Sequence, residues 1–89
     1  MLKFATCLRD YRQLQGYTQA YIAKRLGVSR QYINQVELGQ KGVSLAQAAK
    51  LANILGIAEE DAIKLVVLDS LRAAGLSNLE ITITKETYG

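Results

Sequence analysis

Two short apolar-patterned segments joined by a tight corner constrain the fold of this chain more than any other feature of its sequence. They occupy residues 18–39, TQAYIAKRLGVSRQYINQVELG. The corner contains Gly27, which permits the chain to reverse direction, and Ser29, which suits the N-cap of a following helix. A corner this short fixes the angle between two helices. The sequence therefore predicts helices over about residues 19–26 and 30–38, held at a defined angle.

The second of these predicted helices has two chemically different faces. With successive residues about 100° apart around the axis, one face carries Ile33, Val36 and Glu37. The opposite face is mostly side-chain amide and comprises Gln31, Asn34, Gln35 and Leu38. We interpret the first face as part of the core and the second as a surface offered to a partner.

Three further helices are predicted around this pair. The inward stripe of the first, over about residues 4–15, comprises Phe4, Leu8, Tyr11 and Leu14. Another begins at the capping box of Ser44 and Gln47 and runs to about residue 55. The last begins at the acidic residues that follow residue 58 and ends near Gly75, and its apolar residues spread around nearly the whole circumference.

These patterns resemble the helix-turn-helix proteins of the Cro and lambda-repressor type, also called the XRE family. The residues that carry the resemblance are Leu8, Arg9, Arg12, Gly16, Thr18, Gln19, Ala23, Leu26, Gly27, Val28, Ser29, Glu37 and Gly39. The resemblance continues more weakly to about residue 57. It implies a mainly α, compact lambda-repressor-like bundle of about five helices. Residues 1–57 would form a domain that binds double-stranded DNA, with the second motif helix in the major groove.

The resemblance also implies roles for particular side chains. The positions that contact base edges in the family are occupied here by Arg30, Gln31 and Gln35, with Asn34 as a fourth candidate. Arginine can pair with guanine, and an amide can pair with adenine. Contacts to phosphate are expected from Gln19, Ser29, Tyr32, Gln40 and Lys41. Gln19 would also brace the next helix. Amides and one arginine would equally suit a solvated helix face, and Tyr32 could instead pack at the rim.

Arg12 and Glu37 are expected to form a partly buried, structural ion pair. The family pairs the equivalent residues, and Glu37 lies on the inward face of its predicted helix. Such a pair is a doubtful net stabiliser, but removing one partner leaves the other charge buried and unpaired. The alternative for Arg12 is a direct contact to phosphate.

Positive charge is concentrated in the first half of the chain. Residues 1–50 contain eight Lys or Arg residues against two acidic residues, whereas residues 51–89 contain three against six. The formal charges are therefore +6 and −3, within a total of +3. A cationic region of this kind attracts phosphates, and ordinary solvated surface charge is the alternative interpretation.

The sequence argues against catalysis, metal binding and cofactors. It has no histidine and one cysteine, Cys7, so no internal disulfide, metal site or activated nucleophile can be assembled from it. It also contains no apolar run long enough for a signal peptide or a membrane span. We therefore expect a cytoplasmic protein that is not an enzyme and that binds neither a cofactor nor a membrane.

Residues 58–89 are predicted to form a dimerisation extension of the same domain. One core cannot cover a helix that is apolar on all sides, and residues 79–84 alternate apolar and polar as a half-buried strand does. The predicted dimerisation residues are Val67, Leu68, Leu71, Leu79, Ile81 and Ile83. The strand would pair with its own copy across a two-fold axis. A mobile tail and pairing with another protein are the alternatives.

Together these expectations describe a homodimeric, sequence-specific repressor of phage or mobile-element type that binds a palindromic operator. The small size leaves no room for a sensing domain, so no small-molecule ligand is expected. The alternative is an antitoxin or another protein-interaction module, whose C-terminal helix and strand would bind a partner protein.

Overall fold

The computed structural model describes residues 3–75 and folds them into five α-helices. They are α1 (Lys3–Leu14), α2 (Gln19–Leu26), α3 (Arg30–Glu37), α4 (Leu45–Leu55) and α5 (Glu59–Ala73). The mainly helical bundle expected from the sequence is therefore confirmed for this part of the chain. The predicted strand, with Leu79, Ile81 and Ile83, lies outside the described residues.

Local hydrogen bonds explain where α2, α3 and α4 begin. The hydroxyl groups of Thr18 and Ser29 each accept a hydrogen bond, at 3.0 Å, from the backbone N–H three residues later. Ser44 and Gln47 form a complete capping box, in which each side chain accepts from the backbone N–H of the other residue at 3.1 Å. These bonds satisfy backbone donors that a first helical turn leaves unpaired.

The core lies between these helices and centres on side chains with almost no solvent exposure. The largest of them are Leu8 of α1, Ile22 of α2, Ile33 of α3 and Leu51 of α4. Helix α4 packs against α1, α2 and α5, and α1 also packs against α3 and α5. The α2–α3 pair is therefore supported from its inner side by the rest of the bundle.

The inward stripe of α1 differs from the prediction in its second half. Phe4 and Leu8 are buried as expected, but Tyr11 is 41% exposed and Leu14 is 80% exposed. The inward position four residues after Leu8 belongs to Arg12, whose side chain is only 12% exposed. On a helix, the residues three and four positions after Leu8 both lie on its side. Arg12, four positions on, is the one turned inward, because it makes contacts with α3.

A buried acidic side chain of α5 caps α1. Asp69 is 7% exposed, and its two carboxylate oxygens accept hydrogen bonds from the backbone N–H groups of Lys3 and Phe4, both at 3.0 Å. A carboxylate at a helix N-terminus satisfies unpaired donors and interacts favourably with the helix dipole. Sequence analysis missed this contact because capping patterns connect neighbouring residues, whereas these residues lie 65 and 66 positions apart.

Helix α5 covers the core with only part of its apolar surface. Ala62 and Ile63 are buried, and Leu65 and Val66 are partly buried against the core. Three predicted dimerisation residues of this helix are likewise only partly buried: Val67, Leu68 and Leu71. The bundle formed by residues 3–75 therefore leaves apolar surface of α5 in contact with solvent.

Candidate nucleic-acid interface

The turn between α2 and α3 sets the direction of α3. Gly27 ends α2 in the left-handed region, with a φ of 82°, where a residue with a Cβ atom is strained. The N–H groups of Gly27 and Val28 both donate to Ala23 O, at 2.9 and 3.0 Å. Val28 packs against the core, and Ser29 then caps α3. The tight corner predicted from the sequence is therefore present.

The outer side of α3 carries the residues predicted to contact bases. Arg30 and Gln31 are exposed, and Asn34 and Gln35 are half-buried. Ile33, on the inner side, is fully buried. The helix therefore has the two faces expected from the sequence, with an arginine and three amides on the side away from the core.

An ion pair on the inner side joins α3 to α1. Arg12 donates to Glu37 through Nε and Nη2, at 2.6 and 3.0 Å. Its Nη1 donates to Tyr17 O at 2.9 Å. The Arg12 and Glu37 side chains are 12% and 4% exposed. The contact that the resemblance implies is thus made inside the molecule, and the Arg12 guanidinium is engaged there instead of extending into solvent.

Gln19, the first residue of α2, bridges to α3 through three hydrogen bonds. Its Nε2 donates to Asn34 Oδ1 and to Glu37 Oε1, both at 3.1 Å. Its Oε1 accepts from Arg30 Nη1 at 3.2 Å. The side chain thus contacts two of the candidate base-reading residues and the buried carboxylate at once, as expected of a residue that braces the next helix.

Tyr32 uses its hydroxyl group within the chain. The hydroxyl donates to Gly42 O at 2.6 Å and lies 3.2 Å from Gln47 Oε1. A tyrosine has one hydroxyl proton, and a phosphate oxygen would have to replace one of these acceptors to receive it. The structure therefore favours packing at the rim over the phosphate contact expected for Tyr32. It also reveals a link between α3, the following loop and α4 that the sequence did not indicate.

The other predicted phosphate contacts flank α3. Ser29, Gln40 and Lys41 are exposed. Ser29 Oγ accepts from the backbone of α3 and keeps its own proton to donate. The backbone N–H groups of Gln40 and Lys41 donate to Gln35 O at 2.8 and 3.3 Å, which holds the loop that carries both residues against the end of α3.

Arg25, on α2, forms part of a cationic and aromatic group that sequence analysis did not single out. Its Nη1 donates to the Tyr21 hydroxyl at 2.7 Å, and its guanidinium lies 5.6 Å from the centre of the Tyr21 ring. The Tyr17 and Tyr21 ring centres are 4.6 Å apart. The spacing of Tyr21 and Arg25, four residues apart on one helix, was the available signal for this contact.

The chemistry of Cys7 does not favour a nucleophile. Burial raises the pKa of its thiol, and the nearby carboxylates of Asp10 and Asp61 raise that pKa further. The thiol is therefore protonated at neutral pH and reacts slowly. Within residues 3–75, no three His, Cys, Asp or Glu side chains form a group that could hold a metal ion. Nor does any helix of this region have the length and apolar character needed to span a bilayer.

Comparison with protein families identifies the class of this chain. A helix-turn-helix family model matches residues 8–61, which contain part of α1 and all of α2, α3 and α4. The chain belongs to this family, in its XRE-type branch, as the resemblance in the sequence indicated. The family is one of DNA-binding transcriptional regulators and not a family of enzymes.

Individual relatives are named as regulators of the same kind. The chain is 46% identical over 54 residues to an uncharacterized HTH-type transcriptional regulator of Methanocaldococcus jannaschii, a match that covers 61% of this chain and 82% of that protein. It is 39% identical over 66 residues to a putative HTH-type transcriptional regulatory protein of Saccharolobus solfataricus. This second match covers 74% of the chain but only 20% of the longer relative.

Two solved structures are similar in both fold and sequence. The restriction-modification controller protein C.AhdI from Aeromonas hydrophila has 38% sequence identity and a TM-score of 0.63, over 68% of this chain and 92% of that one. The clp gene regulator ClgR from Corynebacterium glutamicum has 29% identity and a TM-score of 0.64, over 81% of this chain and 78% of that one. Fold and sequence thus agree on a helix-turn-helix transcriptional regulator.

Proposed function

We propose that this regulator binds double-stranded DNA sequence-specifically as a homodimer and represses transcription from a palindromic operator. The observation that carries the proposal is the arginine-and-amide side of α3, which faces away from the core. The inner side of α3 is tied to α1 and α2 through Glu37. A helix that is fixed at its base and offers donors and acceptors at its surface is suited to reading base edges in the major groove.

The proposed base contacts are Arg30, Gln31, Asn34 and Gln35. Arginine can pair with O6 and N7 of guanine, and an amide can pair with N6 and N7 of adenine. Each good pair contributes about 1–3 kcal/mol of discrimination against the wrong base. Arg30 and Gln31 lie in the first turn of α3, and recognition helices of this class contact bases with their N-terminal residues.

The proposed phosphate contacts are Gln19, Ser29, Gln40 and Lys41. Gln19 begins α2, where its backbone N–H group and the helix dipole would favour an anion, since both hydrogens of its side-chain amide are donated to Asn34 and Glu37. Ser29 offers its hydroxyl proton, and Lys41 offers a flexible positive charge. Such contacts set the position of the protein on the duplex without reading its sequence. Tyr32 is left out of this set because Gly42 O already accepts its hydroxyl proton.

The homodimer is proposed from the apolar surface of α5. A second copy would cover the half-buried residues Val67, Leu68 and Leu71. Leu79, Ile81 and Ile83, outside the described residues, would extend the same interface. Two recognition helices related by a two-fold axis would enter successive major grooves about 34 Å apart, which calls for an approximately palindromic site. The likeness to a controller protein and to a gene regulator supports gene control as the role.

Selection of bound sites from random duplex DNA tests the proposal. The double variant Gln31→Ala/Gln35→Ala keeps the proposed phosphate contacts, so we expect weak, salt-sensitive binding to persist. Its preference for the selected site over unrelated DNA should fall by at least about thirtyfold, because two base contacts of about 1–3 kcal/mol each are lost. The matched control is Gln13→Ala, which removes an amide from an exposed position of α1 and should keep the wild-type preference.

Three results would contradict the proposal at different points. Unchanged discrimination by the double variant would contradict base reading by α3. A selected site without two-fold symmetry would contradict the homodimer. Failure of the wild-type chain to bind any duplex at low salt would contradict sequence-specific DNA binding itself.

A further inference from the structure

A chain of side-chain hydrogen bonds runs from the interior of the molecule to the outer side of α3. It begins at Arg12, passes through Glu37 and Gln19, and ends at Asn34. Every link has one donor and one acceptor: Glu37 accepts from both Arg12 and Gln19, and Gln19 donates to both Glu37 and Asn34. These fixed donor and acceptor roles determine which polar atom of Asn34 is left for the DNA.

The neighbours of Gln19 fix the orientation of its amide. The Glu37 carboxylate, paired with Arg12, accepts hydrogen bonds, and its Oε1 lies 3.1 Å from Gln19 Nε2. The Arg30 guanidinium can only donate, and its Nη1 lies 3.2 Å from Gln19 Oε1. If the amide of Gln19 were flipped, its oxygen would face the Glu37 carboxylate and its NH2 group would face the Arg30 guanidinium, and both hydrogen bonds would be lost. Gln19 is therefore held from two directions.

Gln19 in turn fixes the amide of Asn34. The second hydrogen of Gln19 Nε2 is donated to Asn34 Oδ1, at 3.1 Å. The opposite orientation of Asn34 would place two N–H groups against each other, with the loss of this hydrogen bond. Although Oδ1 has a second lone pair, this hydrogen bond holds it beside Gln19, so the Nδ2 group is the part of the Asn34 amide left to meet a base.

We infer that Asn34 reads its base as a hydrogen-bond donor, and that Gln19 and Glu37 are positioning residues that impose this polarity. The inference rests on the proposed function and adds which base the Asn34 contact selects. An unconstrained asparagine prefers adenine. Its Oδ1 atom accepts a hydrogen bond from adenine N6, and its Nδ2 group donates one to adenine N7. A donor favours guanine, which presents O6 and N7 as adjacent acceptors, and disfavours cytosine, whose N4 group is itself a donor.

Site selection with Asn34→Asp tests the polarity directly. The aspartate keeps an oxygen for Gln19 Nε2 but offers the DNA a second acceptor in place of the donor. We expect the wild-type preference for guanine over cytosine at one base pair of each half-site to invert in this variant. The change should be about 5-fold to 150-fold at that pair. Gln31→Glu is the matched control, because it makes the same chemical change on the exposed side of α3 and should alter a different base pair.

Gln19→Met tests the positioning step. Methionine is similar in length but has no amide, so Asn34 is released to turn over while Ser29 and Lys41 remain. We expect weaker binding to all sites. At the Asn34 base pair, we also expect the preference for adenine relative to guanine to rise by about fivefold or more. A purely structural role of Gln19 would lower the affinity for all sites equally and leave the base preference unchanged.

The outcomes separate this inference from the proposed function. Circular dichroism first establishes whether each variant is folded. If Gln19→Met is not folded, the inference is tested by the inversion of the guanine-over-cytosine preference in Asn34→Asp. The inference is overturned if the wild-type chain selects adenine at the Asn34 pair. It is equally overturned if the folded variants bind with the wild-type base preferences, a result that leaves sequence-specific binding intact. Failure of the wild-type chain to select any site would overturn both.

Discussion

Arg12 illustrates how burial changes the role of a charged residue. Its guanidinium makes hydrogen bonds of 2.6 to 3.0 Å with Glu37 and with Tyr17 O. Glu37 is only 3% exposed, and a carboxylate buried to this extent requires a close opposite charge and hydrogen-bond donors. Arg12 therefore holds the inner side of α3 in place, and in the proposed function it would act on DNA binding only indirectly.

We expect Arg12→Met to lower the free energy of unfolding by about 3–5 kcal/mol, because it leaves the Glu37 charge buried and unpaired. Chemical denaturation followed by circular dichroism measures this loss. The control is Arg9→Met on the same helix, where the arginine lies 3.7 Å from an exposed Asp10 carboxylate. An exposed pair of that kind contributes less than about 1 kcal/mol. Similar losses in the two variants would contradict the role assigned to the buried pair.

At the residue scale, the sequence predicts which side chains face outward better than it predicts their partners. Helical geometry alone separates Ile33 from Gln31. The pairing of Arg12 with Glu37, 25 positions apart, was expected from the family resemblance and not from spacing. The bond from the Tyr32 hydroxyl to Gly42 O depends on the conformation of the loop after α3, which no local pattern specifies.

Helix boundaries show the same distinction between local and distant contacts. The predicted starts of α2 and α3 agree with the structure, because Thr18 and Ser29 cap these helices from the adjacent position. Helix α1 begins at Lys3, one residue before its predicted start, and its first N–H groups donate to Asp69 of α5. A cap supplied by a distant element leaves no signal beside the helix that it caps.

We expect Asp69→Ala to loosen the start of α1. The two hydrogen bonds to a charged group are lost together, which should lower the free energy of unfolding by about 1.5–3 kcal/mol and speed hydrogen exchange at the Phe4 amide. Asp61→Ala is the control, because Asp61 is an exposed acid in the first turn of the same helix. Its loss should cost less than about 1 kcal/mol. An unchanged exchange rate at Phe4 in Asp69→Ala would contradict the cap.

In the molecule as a whole, the proposed DNA surface and the proposed dimer surface belong to different helices. Helix α3 packs on α2 and α1, whereas α5 packs on α4 and α1. A second copy seated on α5 is therefore compatible with a solvent-facing α3. This separation would allow one small chain to use the proposed DNA surface and the proposed dimer surface at the same time.

We expect Leu71→Asp to weaken self-association. A substitution in a two-fold interface acts twice, and burial of one leucine contributes about 1.5–3 kcal/mol, so the dimer dissociation constant should rise by at least about a hundredfold. Sedimentation equilibrium measures the change. Leu45→Asp, at a position of α4 that is 47% exposed, is the control and should leave the dimer intact. Equal self-association of the wild type, Leu71→Asp and a chain lacking residues 79–89 would contradict the proposed interface.

The helical bundle could be predicted from the sequence because the corner, the caps and the apolar stripes all specify it. The assembly could not be predicted in the same way. Leu65 and Val66 pack against the core, whereas the neighbouring Val67 and Leu68 are only partly buried and would contact a partner in the proposed dimer. An apolar residue that faces its own domain and one that faces a second copy give the same pattern along a helix.

Amide signals of an isotope-labelled chain, followed by nuclear magnetic resonance while a selected duplex is added, measure directly which surface contacts DNA. If the outer side of α3 reads the bases, the largest shifts will occur in the backbone amides of Arg30, Gln31, Asn34 and Gln35 and in the side-chain amides of the last three, with smaller shifts at the start of α2. Shifts that are largest on α5 and absent from α3 would contradict base reading by this helix.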